Sequence, residues 1–80
     1  MKKETLEQRV MAKLGDDVVL PSAVKTELKF CSDKLKHVKT TEEFDEVMAK
    51  YKLLAIELKR STGLLRTDFD KIISDMKKEL

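Results

Sequence analysis

The 80-residue chain has no tryptophan, one cysteine, one proline, one histidine and two glycines. Each scarcity excludes something. A lone cysteine, Cys31, makes neither an internal disulfide nor a zinc site, and it fits a reducing compartment. Two isolated glycines cannot form a phosphate-cradling loop. So few glycines and prolines leave few turns, which favours a few long elements over many short strands. His37 stands alone among lysines, with no H-x-x-x-H or C-x-x-C spacing to hold a metal. A catalytic histidine needs an orienting carboxylate and a nucleophile, and His37 reads instead as a surface residue at a helix end. No calcium-loop pattern occurs. No apolar run approaches the ~18–20 residues of a membrane span. The opening MKKETLEQRV has a lysine pair but no apolar stretch behind it, so it does not read as a signal peptide. These absences predict a cytoplasmic protein that is not an enzyme, with no cofactor, metal or small-molecule substrate.

Hydrophobic residues make up 41% of the chain and charged residues 40%. That apolar share argues against disorder, and the charge implies amphipathic helices with solvated outer faces. The length allows one domain, residues 1–80, near the size at which a single core barely suffices. A protein partner or a second copy of the chain would relieve that shortage. Seventeen basic residues against fifteen acidic ones give a net charge of only +2. Dedicated nucleic-acid modules usually carry a clearer basic excess, because phosphate contacts dominate their affinity.

Apolar spacing predicts an all-α fold, a small four-helix bundle with helices at about 3–14, 21–38, 41–62 and 67–79. Leu6, Val10, Met11 and Leu14 share one face of the first helix, and Gly15 suits a left-handed closing position. The run Val18-Val19-Leu20 is expected to tuck into the core, and Pro21 to open the second helix. Val24, Leu28, Cys31, Leu35 and Val38 then form a stripe, which makes Cys31 a small core residue. Thr40 and Glu43 read as a capping box. Phe44, Val47, Met48, Tyr51, Leu54, Ala55 and Leu58 line the third helix, which Gly63 ends. Thr67 is expected to cap the fourth, with Asp68 and Asp70 in its first turn and Phe69, Ile72, Ile73, Met76 and Leu80 along its stripe. The acidic pairs Asp16-Asp17 and Glu42-Glu43 fall at helix ends, where capping and dipole effects account for them.

The stretch RSTGLLRTDFDKII raises a sharper question. Taking Gly63 as a turn glycine, Leu58 five residues before it, Leu64 just after, and Phe69 and Ile72 six and nine after are all apolar. In this respect TGLLRTDFDKII resembles the turn and recognition helix of bacterial helix-turn-helix regulators, over about a quarter of the chain. The resemblance implies DNA binding by residues 55–74, in a dimer. The sequence departs from the pattern at Lys59, where a small residue is usual, and at Thr62, where an apolar one is. Asp68 and Asp70 would also face a polyanion, leaving Arg66, Thr67 and Lys71 to make contacts. Lys25, Lys29 and Lys36 project from the second helix about 120° from its apolar stripe, at ~100° per residue. They are further nucleic-acid candidates, although Glu27 and Asp33 interrupt them.

A different reading starts from Phe30, Leu53 and Ile56, which fall outside the main stripes. Such residues are candidates for a protein contact. With no catalytic or metal constellation, the chain reads first as a small regulatory or adaptor protein that docks a helix face on a partner or on itself. That is in the style of the accessory regulators of bacteria and their phages.

Overall fold

Thr5 sets the start of the chain's first helix. Its hydroxyl accepts the Gln8 N–H at 3.2 Å, and its own N–H donates to the Gln8 side-chain oxygen at 2.9 Å. This reciprocal box satisfies two donors that a helix start leaves free. The computed structural model describes residues 4–15 and 17–80, and α1 runs over Leu6–Leu14. The expected start at residue 3, and Asp16, lie outside the described residues. Gly15 closes α1 with φ 90° and ψ 172°, donating its N–H to the Met11 carbonyl at 2.9 Å. The positive φ was expected, but the ψ is extended rather than left-handed helical. In the connection that follows, Leu20 is buried and Val18 half-buried, whereas Val19 is 87% exposed, so only part of the apolar run enters the core.

Helix α2 covers Ser22–Leu35. Pro21 stands just before it rather than as its first residue, and its carbonyl accepts the Lys25 N–H at 2.9 Å. The helix stops short of Val38. His37 and Val38 instead donate to the carbonyls three residues back, at 3.2 and 3.3 Å, so the chain leaves through a tightened turn.

The expected third helix is two helices, α3 over Thr41–Lys50 and α4 over Leu54–Thr62. The four-helix bundle is therefore corrected to five helices among the described residues, which remain all-α with no strand. The break has no glycine or proline. Tyr51 leaves helical geometry at φ −116° and ψ 30°, and two tight turns follow, Tyr51 N–H to Met48 at 3.1 Å and Leu54 N–H to Tyr51 at 3.0 Å. Packing explains it. A straight helix over 41–62 would be about 33 Å long, the full 33 Å extent of the molecule. Breaking it lets α3 and α4 both pack on the shorter α2. Thr40 caps α3 by accepting the Glu43 N–H at 3.1 Å, but the box is only half formed, because the Glu43 carboxylate takes the Thr40 hydroxyl at 3.2 Å instead of a backbone N–H.

Helix α5 covers Arg66–Lys78. Thr67 lies inside it and does not cap it; the residue before the helix is Leu65, extended at ψ 143° and without a side-chain cap. Helix α1 packs on α2 and α5, α2 also on α3 and α4, and α4 on α5. Most of the buried core comes from the predicted stripes: Leu6, Val10, Val24, Leu28, Cys31, Leu35, Phe44, Leu54, Ala55, Leu58 and Phe69 are buried, joined by Leu20 and Leu64, while the stripe residues Met11, Leu14, Val38, Val47, Met48 and Tyr51 are only half-buried against it. Ile72, Ile73 and Met76 pack against it, whereas Leu80 is exposed.

Candidate functional site

Core formation uses up one face of each helix and leaves six large apolar side chains exposed among the described residues, Val19, Leu65 and Leu80 in connections or at the end of the chain and three on α2 and α4. Phe30 on α2 is 57% exposed, Leu53 at the start of α4 is 56% exposed, and Ile56 on α4 is 44% exposed. They belong to adjoining helices, since α2 packs on α4. The same two helices carry Glu27, one helical turn before Phe30, and Glu57, next to Ile56 and one turn after Leu53, both half-buried. Burial pushes the Glu27 carboxyl above the usual range, and the hydrogen bond and negative charge of Glu57 push it the same way. Among the described residues, no lysine or arginine forms an ion pair with either carboxylate.

The other candidate residues are spread out. Lys25, Lys29 and Lys36 are all exposed, and Lys36 is held by Asp33 at 3.3 Å. Around the α4–α5 corner, Gly63 adopts φ 79° and ψ 8°, the left-handed conformation a turn glycine supplies. Leu58, Leu64 and Phe69 are buried and Ile72 is half-buried, so the apolar positions of the helix-turn-helix pattern all do packing work. The polar ones are partly committed within the chain. Arg66 binds Asp70 at 3.0 Å, and Asp68 lies 3.8 Å from Lys13 on α1. Thr67 and Lys71 are exposed.

Set against family models, curated proteins and solved structures, the chain matches none of them. The local chemistry must therefore be read from its own residues. The Cys31 thiol is buried and free, and burial, with the charge of Glu27, pushes its pKa up to about 12. It is a core methyl substitute rather than a nucleophile. His37 is exposed, beside Lys34, Glu43 and Glu46 along a shallow groove. A cleft of about 270 Å³ opens between the start of α1 and the end of α5, but the Arg9–Glu79 ion pair occupies its polar side. Among the described residues no group of His, Cys, Asp or Glu side chains is arranged to hold a metal, and no helix is long and apolar enough to cross a membrane.

Sequence reasoning missed two features. Glu27 counted only as an interruption of a basic stripe, and its pairing with Glu57 depends on an interhelical contact that spacing along one helix does not reveal. Ser32 is almost fully buried, and its hydroxyl accepts the Glu7 N–H of α1 at 3.3 Å. Its place next to Cys31 on the core stripe was the available signal.

Proposed function

We propose that this protein is a non-enzymatic regulatory or adaptor protein of the cytoplasm that works by docking its α2/α4 face on a protein partner. The observation that carries this reading is the exposure of Phe30, Leu53 and Ile56 on adjoining helices in a chain whose other large apolar side chains mostly enter one core. Apolar anchors of this kind supply most of the energy in a helix-face interface, while the charged surround sets register and association rate. The test is affinity capture from cells with the wild type and a Phe30→Ser/Ile56→Ser variant, with thermal unfolding run on both. A partner held by the wild type and lost by an equally folded variant is the expected result. Identical partners for both would remove the α2/α4 face from consideration.

A second reading, a DNA-binding protein with its helix-turn-helix-like element at residues 55–74, is favoured by the left-handed Gly63 between two helices with Leu58, Leu64 and Phe69 buried at the pattern's spacing. The same arrangement serves any close helix corner, and the Arg66–Asp70 pair lowers the charge available to phosphates. Titration against random-sequence duplex DNA at low and moderate salt separates the two cases. Binding that collapses with salt, weakens in Arg66→Ala and Lys71→Ala and strengthens in Asp68→Asn supports this reading; no binding at low salt ends it.

A further inference from the structure

Four helices converge on the cleft between the start of α1 and the end of α5. Its volume of about 270 Å³ lies just under the ~300–1,000 Å³ usual for small-molecule sites, which in bundles form between helices. Its apolar lining includes Leu35 of α2, Phe44 of α3 and Met76 of α5. Its polar lining holds donors that the chain does not use. Ser32 is 3% exposed, and its hydroxyl accepts the Glu7 N–H at 3.3 Å. Among the described residues, no acceptor takes the hydroxyl's own proton. The Arg9 side chain is 17% exposed. Its Nε donates to the Glu4 carbonyl at 3.0 Å and its Nη2 to the Glu79 carboxylate, while Nη1 has no acceptor among the described residues. Lys36 also lines the cleft, with its Nζ 3.3 Å from Asp33.

We propose that this cleft binds a small amphipathic carboxylate, such as a medium-chain fatty acid, with its carboxylate against Ser32 and Arg9 and its hydrocarbon chain along Leu35, Phe44 and Met76. The inference is independent of docking by the α2/α4 face. A carboxylate offers two oxygens with about four acceptor positions, enough for a hydroxyl proton and a guanidinium edge together. A purely apolar ligand would cover those donors and leave them without water, which is costly. An amphipathic cation would meet Arg9 and Lys36 and could not accept the Ser32 proton.

Glu79 gives the site a distinguishing property. Its carboxylate shares the Arg9 guanidinium and therefore competes with a ligand carboxylate for the same charge. Neutralising Glu79 should tighten carboxylate binding, whereas removing the charge of Arg9 should weaken it. A cleft that held ligands by apolar contact alone would respond to neither change.

The experiment is an NMR titration of the whole protein with octanoate below its micelle-forming concentration, followed at the backbone amides, the Arg9 Nε–H and the Met76 methyl group. Hexanoate, octanol and octylammonium serve as comparison probes. The same titrations are run on Arg9→Gln, Glu79→Gln and the cleft-filling Met76→Trp, with thermal unfolding on each protein. Octanoate is expected to shift the resonances of Arg9, Ser32 and Met76 in the wild type, and to bind about tenfold or more tightly than hexanoate, since each buried CH₂ contributes about fourfold. It should also bind about tenfold or more tightly than octanol or octylammonium. Arg9→Gln should lose about tenfold in octanoate affinity, the size of one hydrogen bond to a charged group, Glu79→Gln should gain severalfold, and Met76→Trp should abolish binding. The wild-type shifts need no variant to fold, so they test the site by themselves. No shift in the wild type, or shifts confined to other parts of the surface, overturns the inference. Equal affinity for octanoate and octylammonium overturns it too, as does affinity indifferent to Arg9→Gln and Glu79→Gln in folded proteins. Tighter binding of an acetylated peptide ending in leucine than of octanoate gives the cleft to a protein C-terminus and also overturns it.

Discussion

Burial at the α2/α4 boundary, followed by the hydrogen bond and charge of Glu57, raises the Glu27 carboxyl above its ordinary range. An acid whose folded pKa lies above its unfolded value weakens the fold once the pH exceeds the folded value, and has no effect below the unfolded one. Glu27→Gln is therefore expected to raise Tm at pH 7 by about 2–4 °C, taking about 0.5 kcal/mol for a close like-charge pair. The difference should vanish below about pH 4, where the wild-type carboxyl is itself protonated. Differential scanning calorimetry across that interval checks both the size and the sign. At Ser32 the expected change is opposite. Its hydroxyl accepts the Glu7 N–H at 3.3 Å from another helix while only 3% of the residue is exposed. Ser32→Ala leaves that N–H near the start of α1 without a partner, a loss of about 1 kcal/mol. The loss is read as a lower Tm and as faster hydrogen exchange of the Glu7 amide.

Among the elements, the two glycines end helices in different ways. Gly63 sits at φ 79° and ψ 8°, a region that asparagine also visits, and a Cβ there would meet nothing within 4 Å. Gly15 sits at φ 90° and ψ 172°, where other residues scarcely go. Gly63→Ala should thus cost about 1 kcal/mol and Gly63→Asn less, whereas Gly15→Ala and Gly15→Asn should both cost about 1–3 kcal/mol. Urea titrations of the four variants rank them. This contrast also marks what the sequence made legible. Apolar spacing identified the faces of all the helices, and both glycines were readable as stops, because those signals are local. The split at Tyr51–Leu53 was not readable, because Phe44, Met48, Tyr51, Ala55 and Leu58 fit one continuous face as well as two, and no glycine or proline marks the break. Thr67 looked like a cap from its neighbours alone, whereas the cap position is the extended Leu65, two residues earlier. The exposed residues Phe30, Leu53 and Ile56 were recoverable as positions off the stripes. The acidic pair among them was not, because it forms across two helices.

At the scale of the whole molecule, α5 is held in two ways that differ greatly in strength. Three ion pairs tie it to its neighbours: Arg9–Glu79 and Lys13–Asp68 reach α1, and Lys77–Asp45 reaches α3 at 2.9 Å. All three lie at the surface, where each such pair contributes about 0–1 kcal/mol and is screened by salt. Phe69, by contrast, is 4% exposed and sits in the same core as Leu6, Val10 and Leu58. Removing its ring is expected to cost about 3–5 kcal/mol, a large share of the roughly 4–12 kcal/mol available to a domain of this size. The prediction is a wide separation between two variants of the same helix. Lys77→Ala should shift the urea midpoint little, and adding 1 M NaCl to the wild type should do no more. Phe69→Ala should lower the midpoint by a large fraction and bring unfolding near room temperature. If Lys77→Ala were as damaging as Phe69→Ala, α5 would be held by charge rather than packing. Its attachment would then loosen with salt, and with it the α4–α5 corner at Gly63. The proposed docking face lies on α2 and α4, and α5 packs on α4, so an α5 held by packing is expected to support that face at high salt as at low. Circular dichroism of the wild type in low and high salt, compared with the two variants, decides between these cases.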